Sequence, residues 1–149
     1  MSLPLFCFVP YEKIPPSKFP LAFLYAIRYN VLKDGDKMCT QNTLTVVLEE
    51  VKDGLTAIFG SSLDNVLLYG SYARGDQDAE SDIDILALLD LPAEKLDDYE
   101  NDVLDLSMEI GLRYDVLLSI LLQDRKTFQK YQKAMPFFIN VLREGISLV

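Results

Sequence analysis

The sequence predicts a small α/β domain of the α+β kind, a short mixed β-sheet flanked by helices. Three observations carry this. An amphipathic helical stretch at 43–59 leads into an apolar run at 66–69; a second apolar run, 82–89, follows after a polar turn; helical and extended patterns then alternate to the end of the chain. The order helix–strand–turn–strand–helix–strand makes an α/β unit with a small mixed sheet. A chain of 149 residues, half of them apolar, suffices for one domain, or for one domain with an extension.

Residues 1–37 differ from the rest. They hold five of the seven prolines, many aromatics and weak periodicity. Pro20 through Leu32 is compatible with a helix that has proline in its first turn, and Lys33-Asp34-Gly35-Asp36 reads as a turn. Met38 follows at once. The segment 1–37 is therefore either upstream of the true translation start at Met38 or a genuine extension that binds a partner or covers the core; 38–149 is the domain proper.

From 43 to 59, Leu44, Val47, Leu48, Val51, Leu55, Ile58 and Phe59 recur at helical spacing, with Asn42 or Thr43 to cap the start and Gly60 the end. Ser61–Asn65 reads as loop and 66–69 as strand. Residues 71–74 form a short helix closed by Gly75, and 77–80 a polar loop. The run 82–89 is a strand, buried toward its end. Pro92 opens a helix over 93–110, apolar at Leu96, Tyr99, Val103, Leu106 and Ile110, acidic on its other face, and ended by Gly111. Residues 113–120, RYDVLLSI, read as a third strand. A polar helix at 124–133, a helix from Pro136 to Gly145, and a short strand at 146–149 complete the chain.

The net charge is −9, unevenly placed: residues 1–37 carry +2 and the remainder −11. That surface argues against direct binding of nucleic acid, which wants a basic face. It suits a basic partner, or metal ions that mediate the approach of a nucleotide, or simply solubility. No apolar run nears the roughly 20 residues of a membrane helix, and the proline-broken N-terminus reads poorly as a signal peptide. Cys7 and Cys39 have no metal-ligand spacing, so a cytoplasmic setting with reduced thiols is expected. The absence of histidine excludes histidine acid/base chemistry, a Ser-His-Asp triad and a histidine zinc site.

The chemistry concentrates in 66–89, VLLYGSYARGDQDAESDIDILALL. Gly70-Ser71 follows a strand and offers backbone N–H groups and a hydroxyl to phosphate oxygens. After ten further residues come Asp82 and Asp84, which project to one side of a strand while Ile83 and Ile85 face the other. Paired carboxylates repel unless a divalent cation sits between them, and hard oxygen ligands suit Mg²⁺. Asp115 stands in an otherwise apolar stretch. Should its strand lie beside that of Asp82 and Asp84, three carboxylates converge, as a two-metal site needs; otherwise it is a strand-end acid in water. Arg74 is placed to meet phosphate or to pair with a neighbouring acid. Taken singly, the Gly-Ser turn and the Asp-x-Asp pair are common; their combination at this spacing is specific.

That combination resembles the signature of the DNA polymerase β-like nucleotidyltransferase superfamily, and LYGSYARGDQDAESDIDILALL is similar to the minimal nucleotidyltransferases, which include antitoxins encoded beside HEPN-domain toxins. The resemblance runs from about Leu44 to Val149 and leaves out 1–37. It implies a short mixed sheet flanked by helices, ATP as substrate and Mg²⁺, two ions, as cofactor. Gly70 and Ser71 would hold the triphosphate, Asp82 and Asp84 the metals, with Asp115 as third carboxylate and Arg74 near the phosphates. The implied reaction moves AMP to a hydroxyl of the HEPN toxin, a tyrosine. A chain too small for its own acceptor domain expects a folded partner, and homo- or hetero-oligomers fit equally. Two alternatives stand beside it: a non-catalytic module that masks the toxin, and a nucleotidyltransferase for small molecules of the aminoglycoside type.

Overall fold

A computed structural model describes residues 41–149; the segment 1–37, the helix and turn expected within it, and both cysteines lie outside the described residues. Helix α1 spans Gln41–Phe59 and buries Leu44, Val47, Val51, Leu55 and Phe59, the stripe its periodicity marks. Burial of such side chains contributes about 1.5–3 kcal/mol each. Strand β1 is Leu63–Tyr69, the short helix α2 Gly70–Arg74, and strand β2 Ile83–Leu89. Helix α3 is Glu100–Tyr114, strand β3 Leu118–Asp124, helix α4 Arg125–Tyr131, helix α5 Pro136–Glu144 and strand β4 Ile146–Ser147.

The four strands lie in the order β3-β2-β1-β4. β1 is antiparallel to β2 and β4, and β2 is parallel to β3, so the sheet is mixed. The parallel pair needs a crossover, and α3 provides it. One face of the sheet, with Ile83, Ile85, Ala87 and Leu89 of β2, packs against α1 and α3. The other, with Leu67, Leu86 and Leu88, packs against Phe128 of α4 and Phe138 and Val141 of α5. β2 is one of the two inner strands and is covered on both faces, which explains the continuous apolar run from Ile85 to Leu89. No helix among the described residues is long and apolar enough to cross a membrane.

Several boundaries differ from the sequence reading. β1 begins at Leu63, not 66, because Leu63 pairs with Leu89 and Asp64 is held at the surface by Arg125, 2.8 Å away. The stretch after Pro92 makes two 3₁₀ turns, Ala93–Lys95 and Asp97–Tyr99, before the α-helix starts. Its acidic face is exposed as expected: Asp97, Asp98, Asp102, Asp105 and Glu109 all meet water.

The largest correction concerns 111–120. Gly111 does not end α3; the helix continues to Tyr114. The glycine is needed because the returning chain crosses it, and a Cβ there would stand 2.9 Å from the Val116 carbonyl oxygen. Asp115 is the residue that stops the helix, with φ 55° and ψ 46°, its backbone N–H bonded to the Gly111 carbonyl. Aspartate tolerates this left-handed conformation better than most side chains. The third strand therefore starts at Leu118, where the Ser107 hydroxyl donates to the Leu118 carbonyl, and ends at Asp124, whose carboxylate accepts from the Thr127 N–H and caps α4. Asp115 is not in a strand.

Candidate active site

The site lies where β1 ends and β2 begins. Tyr69, the last residue of β1, is the register partner of Asp84. Opposed residues of an antiparallel pair share a face, and here it is the face of α5: Tyr69 packs with that core and its ring meets Phe137 edge-on at 5.3 Å. At Gly70 the chain leaves the strand with φ +74°. A Cβ at this position would sit 2.3 Å from Oδ2 of Asp84. Glycine is thus required twice, for the backbone conformation and for the carboxylate that occupies the space beside it. Residues 70–74 then make one helical turn, with Tyr72 buried, and Gly75 closes it. The first backbone N–H groups of such a turn have no intrahelical partner, and Ser71 stands among them.

Asp82 and Asp84 are both half-buried and lie two residues apart at the entry to β2. Burial, and after it the charge of Asp82, raises the Asp84 carboxyl above its usual 3.8, against the lowering effect of Arg74. Burial and then Asp84 raise the Tyr69 phenol in turn. A divalent cation relieves both effects on Asp84, since it replaces lost hydration and offsets the repulsion. By donor chemistry the pair fits one hard ion such as Mg²⁺.

Arg74 realises one of its two expected roles: Nε lies 3.0 Å from Asp76 and Nη1 3.4 Å from Glu144. The guanidinium is exposed and sits at the rim of a hollow of about 160 Å³ lined by Tyr69, Gly70, Arg74, Phe137, Asn140, Val141 and Glu144. Glu144 is itself pulled below its usual range, chiefly by its hydrogen bond with Arg143, with Arg74 contributing. Thus Gly70, Ser71, Arg74, Asp82 and Asp84 come together at one end of the sheet.

Asp115 does not join them as a third acid. It is exposed at the end of α3, and among the described residues no group of three Asp, Glu, His or Cys side chains could hold a metal. The residue in register with Asp84 on β3 is Ser119. Its neighbours Leu118 and Ile120 pack into the core under α1 and α3, so Ser119 points to the opposite face, the one Asp84 shares with Leu86 and Leu88. Sequence reasoning missed Ser119, Tyr69 and Glu144. Tyr69 was legible as the residue before Gly70. Ser119 needed the strand register, and Glu144, 70 residues from Arg74, had no local signal.

A sequence model for the family described as nucleotidyltransferase domain matches residues 43–142. A Methanocaldococcus jannaschii protein named "putative protein adenylyltransferase" is 38% identical over 74 residues, 49% of this chain and 72% of its own length. A second of that name from the same organism is 35% identical over 98 residues, 66% of this chain and 90% of its own. A solved structure described as a putative minimal nucleotidyltransferase is similar at 26% identity and a TM-score of 0.49, covering 75% of this chain and 98% of that one.

Proposed function

The chain belongs to the nucleotidyltransferase domain family and is an enzyme of that family, and from this premise we propose that it transfers AMP from ATP to a hydroxyl of a partner protein, with Mg²⁺ as cofactor. The carrying observation is the Asp84–Gly70 contact: the structure keeps a repelled, half-buried carboxylate against the glycine turn that opens a helical segment, and omits a side chain to make room for it. The names of the two archaeal relatives support adenylyl as the group and protein as the acceptor.

In this reading Asp82 and Asp84 hold the metal, which when bound neutralises phosphate charge in the in-line displacement at the α-phosphorus. The backbone N–H groups at Gly70 and Ser71, with the Ser71 hydroxyl, fix the outer phosphates. Arg74, tethered by Asp76 and Glu144 at the rim, faces the same charge. The acceptor oxygen forms its bond to the α-phosphorus as the bond to the β-phosphate bridge breaks, and pyrophosphate leaves; the hydroxyl proton goes to solvent or to the partner. A cytoplasmic setting supplies ATP.

The acceptor we propose is a tyrosine of a HEPN-domain ribonuclease toxin, with this chain as its antitoxin. The resemblance of the 66–89 motif to minimal nucleotidyltransferases supports this, and the acidic face of α3 suits a basic RNA-cleaving partner. The test mixes the chain with the product of the neighbouring gene, ATP and Mg²⁺, and reads intact mass. AMP-sized additions are expected, and Asp82→Ala with Asp84→Ala should abolish them. No addition with the native chain would defeat the reading. Neutralisation retained by the double variant would move it to masking.

A further inference from the structure

The three strands that meet at the site do not bring three carboxylates there. β2 carries Asp84, with Asp82 just before it. On its β1 side the register partner of Asp84 is Tyr69, and on its β3 side it is Ser119. Neighbouring strands are about 4.8 Å apart, so Ser119 is the nearest position on β3 from which a side chain could share a cation with Asp84. It is exposed, on the same face, and uncharged. Asp115 lies three residues before β3 begins, fixed in the left-handed conformation by its role in ending α3. Asp76 and Asp78 are engaged elsewhere: Asp76 pairs with Arg74, and Asp78 accepts from the Ser81 hydroxyl and the Glu80 N–H.

From this we infer that the site holds one divalent ion, on Asp82 and Asp84, and that Ser119 occupies the place where a carboxylate would be needed to hold a second. The physical reason is charge. Two divalent ions a few ångströms apart repel strongly, and two-metal sites offset that repulsion with carboxylates on both sides. Here one side has two acids and the other a hydroxyl, a neutral and weak ligand for a hard cation. The inference rests on the nucleotidyl-transfer reading above and sharpens it. This chain supplies the ion that accompanies the nucleotide, and it places no acid on the β3 side to take the acceptor's proton. The acceptor protein or solvent must do so.

The experiment counts Mn²⁺ bound per chain by electron paramagnetic resonance, with saturating α,β-methylene-ATP. The native chain should bind one ion and Ser119→Asp two. Circular dichroism of Ser119→Asp should match the native spectrum, since the position is exposed. As a second readout, saturating Mn²⁺ should raise the melting temperature of Ser119→Asp more than that of the native chain, because the added carboxylate is repelled by Asp84 until an ion is present. Two ions on the native chain, or loss of an ion in Asp115→Asn, would overturn the inference and leave nucleotidyl transfer standing. Ion binding unchanged by Asp82→Ala with Asp84→Ala would overturn both.

Discussion

The two strands that flank β2 meet Asp84 in opposite ways. On the β1 side everything is built for close approach: Tyr69 in register, Gly70 without a side chain, a carboxylate oxygen 2.3 Å from where its Cβ would stand. On the β3 side Ser119 is small, exposed and neutral, and the acid that precedes the strand is taken up in ending a helix. The first side is local in sequence, because strand, turn and helix are consecutive residues. The second depends on which residue of β3 comes to rest beside Asp84. Under the proposed adenylyl-transfer reading, the β1 flank would receive the nucleotide and the β3 flank would be left to the acceptor.

The comparison breaks first at Asp84. Asp84→Asn should lower AMP transfer by more than about 100-fold, since losing even an outer-shell partner of a metal site costs 10–100-fold. The same change should leave the metal-free protein at least as stable as the native one near neutral pH. Burial and Asp82 raise the Asp84 pKa in the folded state, so the fold keeps this proton at a pH where the unfolded chain has released it. Stability accordingly falls as pH rises from the usual 3.8 through the raised value, and the cost persists above it. Asparagine removes that cost, and thermal denaturation across this range should show a flatter profile for the variant. Metal affinity has the opposite slope: protons compete for Asp84, and Mg²⁺ binding should weaken on acidification at a higher pH than for an exposed aspartate.

Gly70→Ala tests the crowded flank. The left-handed backbone alone costs about 1–2 kcal/mol for a residue with a Cβ, and the 2.3 Å approach to Asp84 adds to it. Activity should fall with stability. In an Asp84→Gly background the collision is gone, so Gly70→Ala should cost only the backbone strain; a denaturant double-mutant cycle measures the difference. Equal costs in both backgrounds would remove the contact from the explanation.

A smaller effect is expected at the rim. Glu144→Gln replaces one of the two charged tethers of Arg74 with a neutral acceptor. The expected result is a change in KM for ATP of about three- to tenfold with kcat nearly constant, the pattern of lost uniform binding. The smallest is Asp115→Asn. Asparagine accepts the left-handed conformation as readily as aspartate, so activity should stay within about twofold and stability within ~0.5 kcal/mol, the range of neutral surface changes. A large loss of activity there would restore Asp115 as a third carboxylate.

Much of the site is legible in the sequence. Gly70, Ser71, Asp82 and Asp84 stand out because the motif spans one hairpin, whose geometry follows from alternation and turn chemistry within some fifteen residues. Helix α1 and the Pro136–Gly145 helix are equally clear, being amphipathic and bounded by recognisable stop signals. Gly111 misleads, because a glycine required for close packing looks in sequence like a glycine that ends a helix. The error moves β3 by five residues at its start and puts Asp115 on a ladder it never joins.

The sequence by itself thus determined the local chemistry: a helix, a hairpin with a glycine-serine turn, and two acids on one side of a strand, all set by neighbours in the chain. Only the tertiary structure decided what stands beside those acids. Ser119 comes level with Asp84, and Glu144 reaches Arg74, because a parallel strand after a helical crossover and a helix packed on the far face are positioned by burial of the core. No short-range pattern records that register. It is set by the match between Ile83–Leu89 and Leu118–Asp124 on a shared sheet.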